Sequence, residues 1–286
     1  MIVSEPLLSI CVPTYNRHQS LHRQLSFLKS EVNGAANVEV IVSDNCSIDD
    51  TPTVMKNFQG IFQLHRNECN VGLVGNLNVL MGKAAGRYLW FVGDDDELHT
   101  GILGAVLRHL VSTPEFLYLN HRIADNSSRK VLYQSLLPSG PDLYKDGKDC
   151  IKAIASASLA QAILISASIY KRSNLLELTS ADPSDLATPL RYAFFCCSKG
   201  SAAICREVVL TNYWGDTSWD DRAYEFKFRW IPGVVKELPE LGYGRLYSYQ
   251  LLLSWYRRLW REYVQHQSPW AWKTMQTVKR RVFGFK

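Results

Sequence analysis

Asp94, Asp95, Asp96 and Glu97 follow directly on Tyr88, Leu89, Trp90, Phe91 and Val92, an apolar run of buried-strand length. Charges about 5 Å apart at an effective dielectric near 20 repel by roughly 3 kcal/mol per pair, so the three aspartates would hardly stay ionised together without a cation. Hard oxygen ligands suit Mg²⁺ or Mn²⁺. These ions bind through one or two carboxylates plus substrate phosphates, so the cluster points to a diphosphate-bearing substrate. The alternative is local. Residues 98–110 have helical spacing, which would make Asp96 a helix N-cap and Glu97 a favourable charge at the dipole's positive end, but capping uses one or two of four acids.

The elements that must position this turn read as alternating strands and helices. Residues 7–12 form a short apolar strand ended by Pro13, and residues 19–32 place Leu21, Leu25, Leu28 and Val32 on one helical face. A second apolar strand over 38–42 closes on Asp44 and Asn45. A short helix over 49–58, with acids in its first turn, a strand from 62 and a helix over 74–85 lead to the strand at Tyr88. Strands buried on both faces and joined by helices predict a Rossmann-like, mostly parallel sheet flanked by helices, with ligands beyond the carboxyl ends of the strands. PTYNR (13–17), SDN (43–45) and GDDD (93–96) all fall at such ends and would face one crevice.

PTYNR at 13–17, VSDNCSIDDT at 42–51, NVGLVGN at 70–76 and AAGRYLWFVGDDDEL at 84–98, in this order and spacing, resemble glycosyltransferase family 2, and within it the bacterial O-antigen and capsule enzymes of the abequosyltransferase-like branch. The resemblance covers residues 7–110. It implies a GT-A fold, a nucleotide-sugar donor and metal-dependent transfer; the expected acceptor is a growing glycan, lipid-linked if the basic tail at 245–286 holds the chain at a membrane. Carried over residue by residue, Pro13, Thr14, Tyr15 and Arg17 would wrap nucleobase and ribose, and Asp44 would bond the base edge. A carboxylate only accepts, so Asp44 suits uracil, thymine, cytosine or guanine alike. Asn45, Asn70, Gly72 and Asn76 would line the pocket, with turn and capping chemistry the alternative role for Asp44, Asn45 and Ser47. Asp94 and Asp95 become the ribose and metal contacts, with Asp96 in support of the Mn²⁺ or Mg²⁺. Two positions depart from the family's pattern: Gly93 stands at the first Asp of its acidic motif, and Gly75 where many relatives carry an arginine. With less positive charge on the donor phosphates, the metal or a later basic residue must compensate.

Beyond residue 115 the expected elements are strands over 116–119 and 131–137, a helix over 147–158, a strand over 163–170, a helix over 186–198 and a strand over 202–210. In the family's inverting members a carboxylate near the start of the fifth of these is the general base. Asp185 and Asp182 are the candidates, with helix capping as their other role, and Asp216, Asp220 and Asp221 come next. Residues 214–221 read as a loop folding over the donor.

Nine Lys or Arg and a single acid, Glu262, lie in residues 245–286, a balance of +8 within a chain of net +5, so residues 1–244 carry −3. Leu252, Trp255, Tyr256, Leu259 and Tyr263 have helical spacing, and beyond Pro269 come Trp270, Trp272, Lys273, Lys279, Arg280, Arg281 and Phe283. Basic residues interleaved with Trp suit an anionic membrane surface, and nothing else in the chain suggests a nucleic-acid reader. Packing on the catalytic domain is the alternative. The expected organisation is a donor-binding half at 1–115, an acceptor half at 116–244 and a helical basic and aromatic tail at 245–286. The 286 residues hold seven cysteines with no CxxC pair, read as reduced thiols without zinc. With no basic leader and no run of roughly 18 apolar residues, the expected location is cytoplasmic, peripheral on the inner face of the cell membrane. Two rivals remain: a sugar-phosphate nucleotidyltransferase, which normally opens with a glycine-rich loop absent from VPTYNR, and a non-catalytic membrane-surface nucleotide-binding or glycan-binding module.

Overall fold

The computed structural model describes residues 5–178, 182, 184–214 and 222–267. In chain order the elements are β1 (Leu8–Thr14), α1 (His18–Glu31), β2 (Val38–Asp44), α2 (Thr51–Lys56), β3 (Gln63–Arg66), α3 (Gly72–Lys83), β4 (Tyr88–Phe91), β5 (Glu97–Leu98), α4 (Ile102–Leu110), β6 (Phe116–Asp125), β7 (Val131–Tyr133), β8 (Leu143–Tyr144), α5 (Gly147–Ser158), β9 (Ser168–Lys171), α6 (Arg172–Glu177), α7 (Thr188–Ser198), β10 (Ala202–Trp214), α8 (Ala223–Glu225), α9 (Ile231–Glu237) and α10 (Arg245–Gln267).

One sheet takes in all ten described strands, with the path β3-β2-β1-β4-β9-β6-β10-β5, β7 beside β6 and β8 beside β10. The first four strands are parallel, as their apolar runs and helical crossovers dictate, with Thr14 opposite Asp44 and Asp44 opposite Arg66 in register. β9 then enters antiparallel to both β4 and β6, so the sheet is mixed beyond β4 and its two halves are joined through one strand. An aromatic cluster cements that join. Tyr170 on β9 meets Phe91 on β4, Phe116 on β6 and Tyr192 on α7, with ring centroids 5.6–6.2 Å apart. The chain divides into compact units at 1–234 and 235–286, and residues on both sides of 115 share the one sheet.

Several sequence expectations shift. The helix expected from residue 98 begins at Ile102, because Glu97 and Leu98 pair antiparallel with β10 and Gly101, at φ +87°, turns the chain into the helix. Asp96 therefore does not cap it. The expected strand over 163–170 is two 3₁₀ turns followed by β9, and no acid lies in the first turn of α2.

In the second unit, α10 has two apolar faces. Leu251, Trp255 and Leu259 are buried, and the Ser248 hydroxyl donates to the Val235 carbonyl at 2.5 Å. Leu246, Tyr249, Tyr256, Trp260 and Tyr263 are exposed, following one another at helical spacings along a different face, with Arg257 and Arg261 exposed as well. The stripe read from the sequence thus splits, Trp255 and Leu259 inward, Tyr256 and Tyr263 outward. Trp270, Trp272, Lys273, Lys279, Arg280, Arg281 and Phe283 lie outside the described residues.

Candidate active site

The carboxyl ends of β3, β2, β1 and β4 carry one polar row. At its outer end, Arg66 on β3 donates from Nη1 to Asp44 Oδ2 at 2.5 Å and from Nη2 to the Ser47 carbonyl at 2.8 Å. The Ser47 backbone N–H donates to Asp44 Oδ1 at 2.9 Å, and Asn16, held at φ +52°, gives its N–H to the Ser47 hydroxyl at 2.8 Å. Asp44 is therefore fully buried and bonded at both oxygens, which makes turn formation a real part of its role.

Behind this row lies an amide network. Asn45 donates to Asn70 Oδ1 at 2.8 Å and to the Gly72 carbonyl at 3.2 Å, and its own Oδ1 takes the Val71 N–H at 3.0 Å. Asn67 Nδ2 donates to Asn45 and to Asn76, each at 3.0 Å, while Asn76 exchanges bonds with the Ser43 hydroxyl and carbonyl at 2.6 and 2.9 Å. These buried amides satisfy one another and pin the start of α3 to the end of β2. Gly72, at φ +74°, supplies the left-handed turn into that helix. Asn45, Asn70, Gly72 and Asn76 are thus brought together in one network at the start of α3. Asn67 was missed; an asparagine at a strand's end three residues before Asn70 is the only local hint of it.

The inner end of the row is acidic. Thr14 Oγ1 donates to Asp94 Oδ2 at 2.7 Å, and the Arg17 guanidinium bonds Asp95 and reaches Asp94 Oδ1 at 3.5 Å. Pro13 is buried in β1, Tyr15 is exposed just past it, and Arg17 turns to the carboxylates. The basic group at this end precedes the motif in sequence. Gly93 gives its N–H to Ser166 Oγ at 2.7 Å, and Asn212 on β10 donates to Asp96 Oδ1 at 3.2 Å. A Cβ on Gly93 would lie 2.9 Å from Asp96 Oδ2 and 3.3 Å from Asp95 Oδ1, which explains why glycine suits this position.

Charge at this turn is not balanced. Burial and then neighbouring Asp95 push the Asp94 carboxyl up to about 7, against the pull of Arg17 and the Thr14 hydroxyl. Burial and Asp95 likewise push Asp96 up to about 6, against Ser166 and Asn212. Asp95 points outward, with more than half of its side chain exposed. Among the described residues no three His, Cys, Asp or Glu side chains converge as a metal cage. A hard divalent ion that takes one or two carboxylates and completes its shell with phosphate oxygens needs no cage, and it would offset both the burial that chiefly raises Asp94 and Asp96 and the charge of Asp95 beside them. The donor set is of the chemistry that suits Mg²⁺ or Mn²⁺, and Asp95 is the carboxylate that would face such an ion.

Asp185 stands just before α7. Its Oδ1 accepts from the Ala187 N–H at 2.9 Å and its Oδ2 pairs with Arg191 Nη1 at 3.0 Å, so the carboxylate is oriented and nearly buried. Asp182 is exposed and accepts from the N–H and hydroxyl of Ser184, which hold its carboxyl below the usual range. Each carboxylate accepts the backbone N–H two residues on, as in an Asx turn, neither caps α7, and only Asp185 is also held by a guanidinium. Asp216, Asp220 and Asp221 lie outside the described residues, as does the loop over 215–221.

The profile described as Glycosyl transferase family 2 matches residues 9–162. The chain is similar to the abequosyltransferase RfbV of Salmonella typhimurium, 32% identical over 122 residues, which cover 41% of this chain and 36% of that protein. It is similar to the GalNAc(5)-diNAcBac-PP-undecaprenol beta-1,3-glucosyltransferase of Campylobacter jejuni, 34% identical over 107 residues, covering 36% of this chain and 34% of that one. The matched region spans about a third of the length of these relatives. In fold the chain is similar to residues 1–349 of S. aureus TarS solved with UDP-GlcNAc, with a TM-score of 0.66, 16% identity, and 88% of this chain and 72% of that one covered.

Proposed function

The chain belongs to glycosyl transferase family 2, and from that premise we propose that it moves a sugar, with inversion, from a nucleoside diphosphate donor to a growing glycan carried on a lipid diphosphate. The observation that carries this reading is the polar row itself. A neutral hydrogen-bonding end at β2 and β3 and an acidic, cation-seeking end at β1 and β4 match the two ends of a nucleoside diphosphate. The relative from Campylobacter jejuni is named for a diphosphate-linked undecaprenol glycan and the solved TarS structure holds UDP-GlcNAc, which supports this donor and acceptor class here. The family match also sets aside a nucleotidyltransferase.

In this mechanism Thr14 holds Asp94 at the ribose, and Arg17 and Asp95 face the diphosphate. Asp95, with Asp94 or Asp96, would hold a divalent ion, whose chemistry there would be positive charge for the leaving diphosphate. Asp185 takes the proton of the acceptor hydroxyl as that oxygen bonds to the anomeric carbon and the bond to the diphosphate breaks on the opposite face. The Ala187 N–H and Arg191 fix the direction in which this carboxylate points. A radiolabelled-donor assay with a lipid-linked acceptor tests the reading. Turnover that needs a divalent cation supports it; donor binding without any transfer would leave only a binding module.

The exposed Leu246, Tyr249, Tyr256, Trp260 and Tyr263 of α10, with Arg257 and Arg261 near them, suit the interface of an anionic leaflet. Among the described residues no helix is long and apolar enough to cross a membrane; the attachment proposed here is peripheral, on the inner face of the cell membrane beside the lipid-linked acceptor. Sedimentation with anionic vesicles at low and high salt, comparing the full chain with a Tyr256→Ser/Trp260→Ser variant, tests this part. Equal recovery of both in the pellet would remove α10 from the contact.

A further inference from the structure

We propose that Arg66 reads the nucleobase, and that it selects donors whose base carries a keto oxygen at the edge facing β3: uracil, thymine or guanine over cytosine and adenine. The inference rests on the donor reading above and names the class of nucleotide within it.

Strand order fixes where the base must lie. The acidic turn that suits the diphosphate follows β4, and the row runs from there across β1 and β2 to β3, with neighbouring strands about 4.8 Å apart. Base and diphosphate occupy opposite ends of a nucleoside diphosphate. With the diphosphate at β4, the base falls at β2 and β3, where Asp44 and Arg66 stand opposite each other in register.

The two residues are not equally accessible there. Asp44 has no exposed surface, because the Ser47 N–H covers one oxygen and Arg66 the other. The Arg66 side chain is 43% exposed. A guanidinium carries five N–H donors and no acceptor; Asp44 and the Ser47 carbonyl take one each, which leaves three. The base edge therefore meets a fixed, donor-only group, held in place by a buried carboxylate. Such a group bonds O4 of uracil or thymine, or O6 of guanine. Facing cytosine or adenine it would oppose its own N–H groups to the exocyclic amine at the same corner, leaving both sets of donors unpaired.

Arg66 also answers a question left by the sequence. A carboxylate at 44 is compatible with four bases, whereas the carboxylate capped by this arginine is compatible with three, and the arginine has no counterpart among the four motifs that carry the family resemblance.

Calorimetry of the full chain with UDP, dTDP, GDP, CDP and ADP in the presence of Mn²⁺ tests the assignment, with Arg66→Gln and Arg66→Lys as variants and melting curves as the check on folding. The wild type is expected to bind at least one of UDP, dTDP and GDP about tenfold or more tighter than CDP and ADP, since hydrogen bonds to charged groups contribute at this scale. Glutamine offers an acceptor as well as donors, so Arg66→Gln is expected to bring CDP to within about threefold of the preferred keto nucleotide. Arg66→Lys keeps the charge on Asp44 and a donor-only head, and is expected to keep the keto preference in part. A wild type that binds CDP or ADP as tightly as the keto nucleotides would overturn the assignment, as would an Arg66→Gln variant with an unchanged ratio. Failure to bind any of the five would overturn the donor reading itself and the assignment with it, an outcome distinct from a flat panel in which affinity is retained.

Discussion

The two ends of the crevice row are built from the same residue types yet solve opposite problems. At β2 and β3 one buried carboxylate meets a guanidinium and a backbone N–H, and the amides behind it satisfy one another. At β4 three aspartates share one arginine, one threonine hydroxyl and two side-chain contacts from distant segments, and two of them are raised toward neutrality. The first end is complete before any ligand arrives and so offers a fixed shape. The second lacks positive charge, which in the proposed mechanism a cation and the donor would supply. Preorganisation at one end and deficit at the other would give a nucleoside diphosphate donor one orientation.

The largest expected effect lies off this row, at the carboxylate assigned to proton transfer. Asp185→Asn keeps an oxygen for the Ala187 N–H and is expected to lower kcat by roughly a hundredfold or more with donor affinity unchanged. Transition rates equal to wild type would move the base elsewhere and leave the row with binding alone.

The next experiment sets the two ends against each other. Asp44→Ala leaves the Ser47 N–H and Arg66 without their acceptor and is expected to cost about 2 kcal/mol of stability. Asp94→Asn keeps an oxygen for Thr14 while removing a crowded charge, and is expected not to lower the melting temperature of the cation-free protein at pH 8. Equal losses for both substitutions would break the comparison.

A smaller effect follows from pH. Asp94 and Asp96 bind their protons more tightly folded than unfolded, so the stability they contribute is full below about pH 4 and is lost as pH rises through about 6 and 7. In cation-free protein, wild type minus Asp94→Asn stability should therefore fall across that window, read from melting curves at fixed ionic strength. A flat difference would show that the carboxyl is not raised. The smallest expected effect is that of Ser166→Ala, which removes the acceptor for the Gly93 N–H and should weaken cation-dependent nucleotide binding by a few fold, with little change in the cation-free protein beyond roughly 1 kcal/mol.

Much of the parallel half was legible in the sequence because each of its strands is a local apolar run ended by polar residues, and helices such as α5 announce themselves by spacing. The second half was less so. β5 is two residues long and exists only by pairing with β10, and β9 hides at the end of an apolar run whose first part folds as 3₁₀ turns. The site divides in the same way. PTYNR, SDN and GDDD sit in contiguous motifs, whereas Ser166 and Asn212 reach the acidic turn across separations of 73 and 116 residues, beyond any local pattern. Arg66 is a single charged residue at the end of a short strand, and its meaning appears only when register places it opposite Asp44.

In the proposed mechanism the acidic end takes a divalent cation together with the diphosphate. The most direct test of this is calorimetry of nucleoside diphosphate binding with Mn²⁺, with EDTA, and with Asp95→Ala. The expected result is a loss of affinity of at least about tenfold both on chelation and in the variant, matching the loss of a charge-assisted contact. Unchanged affinity in both cases would contradict the account.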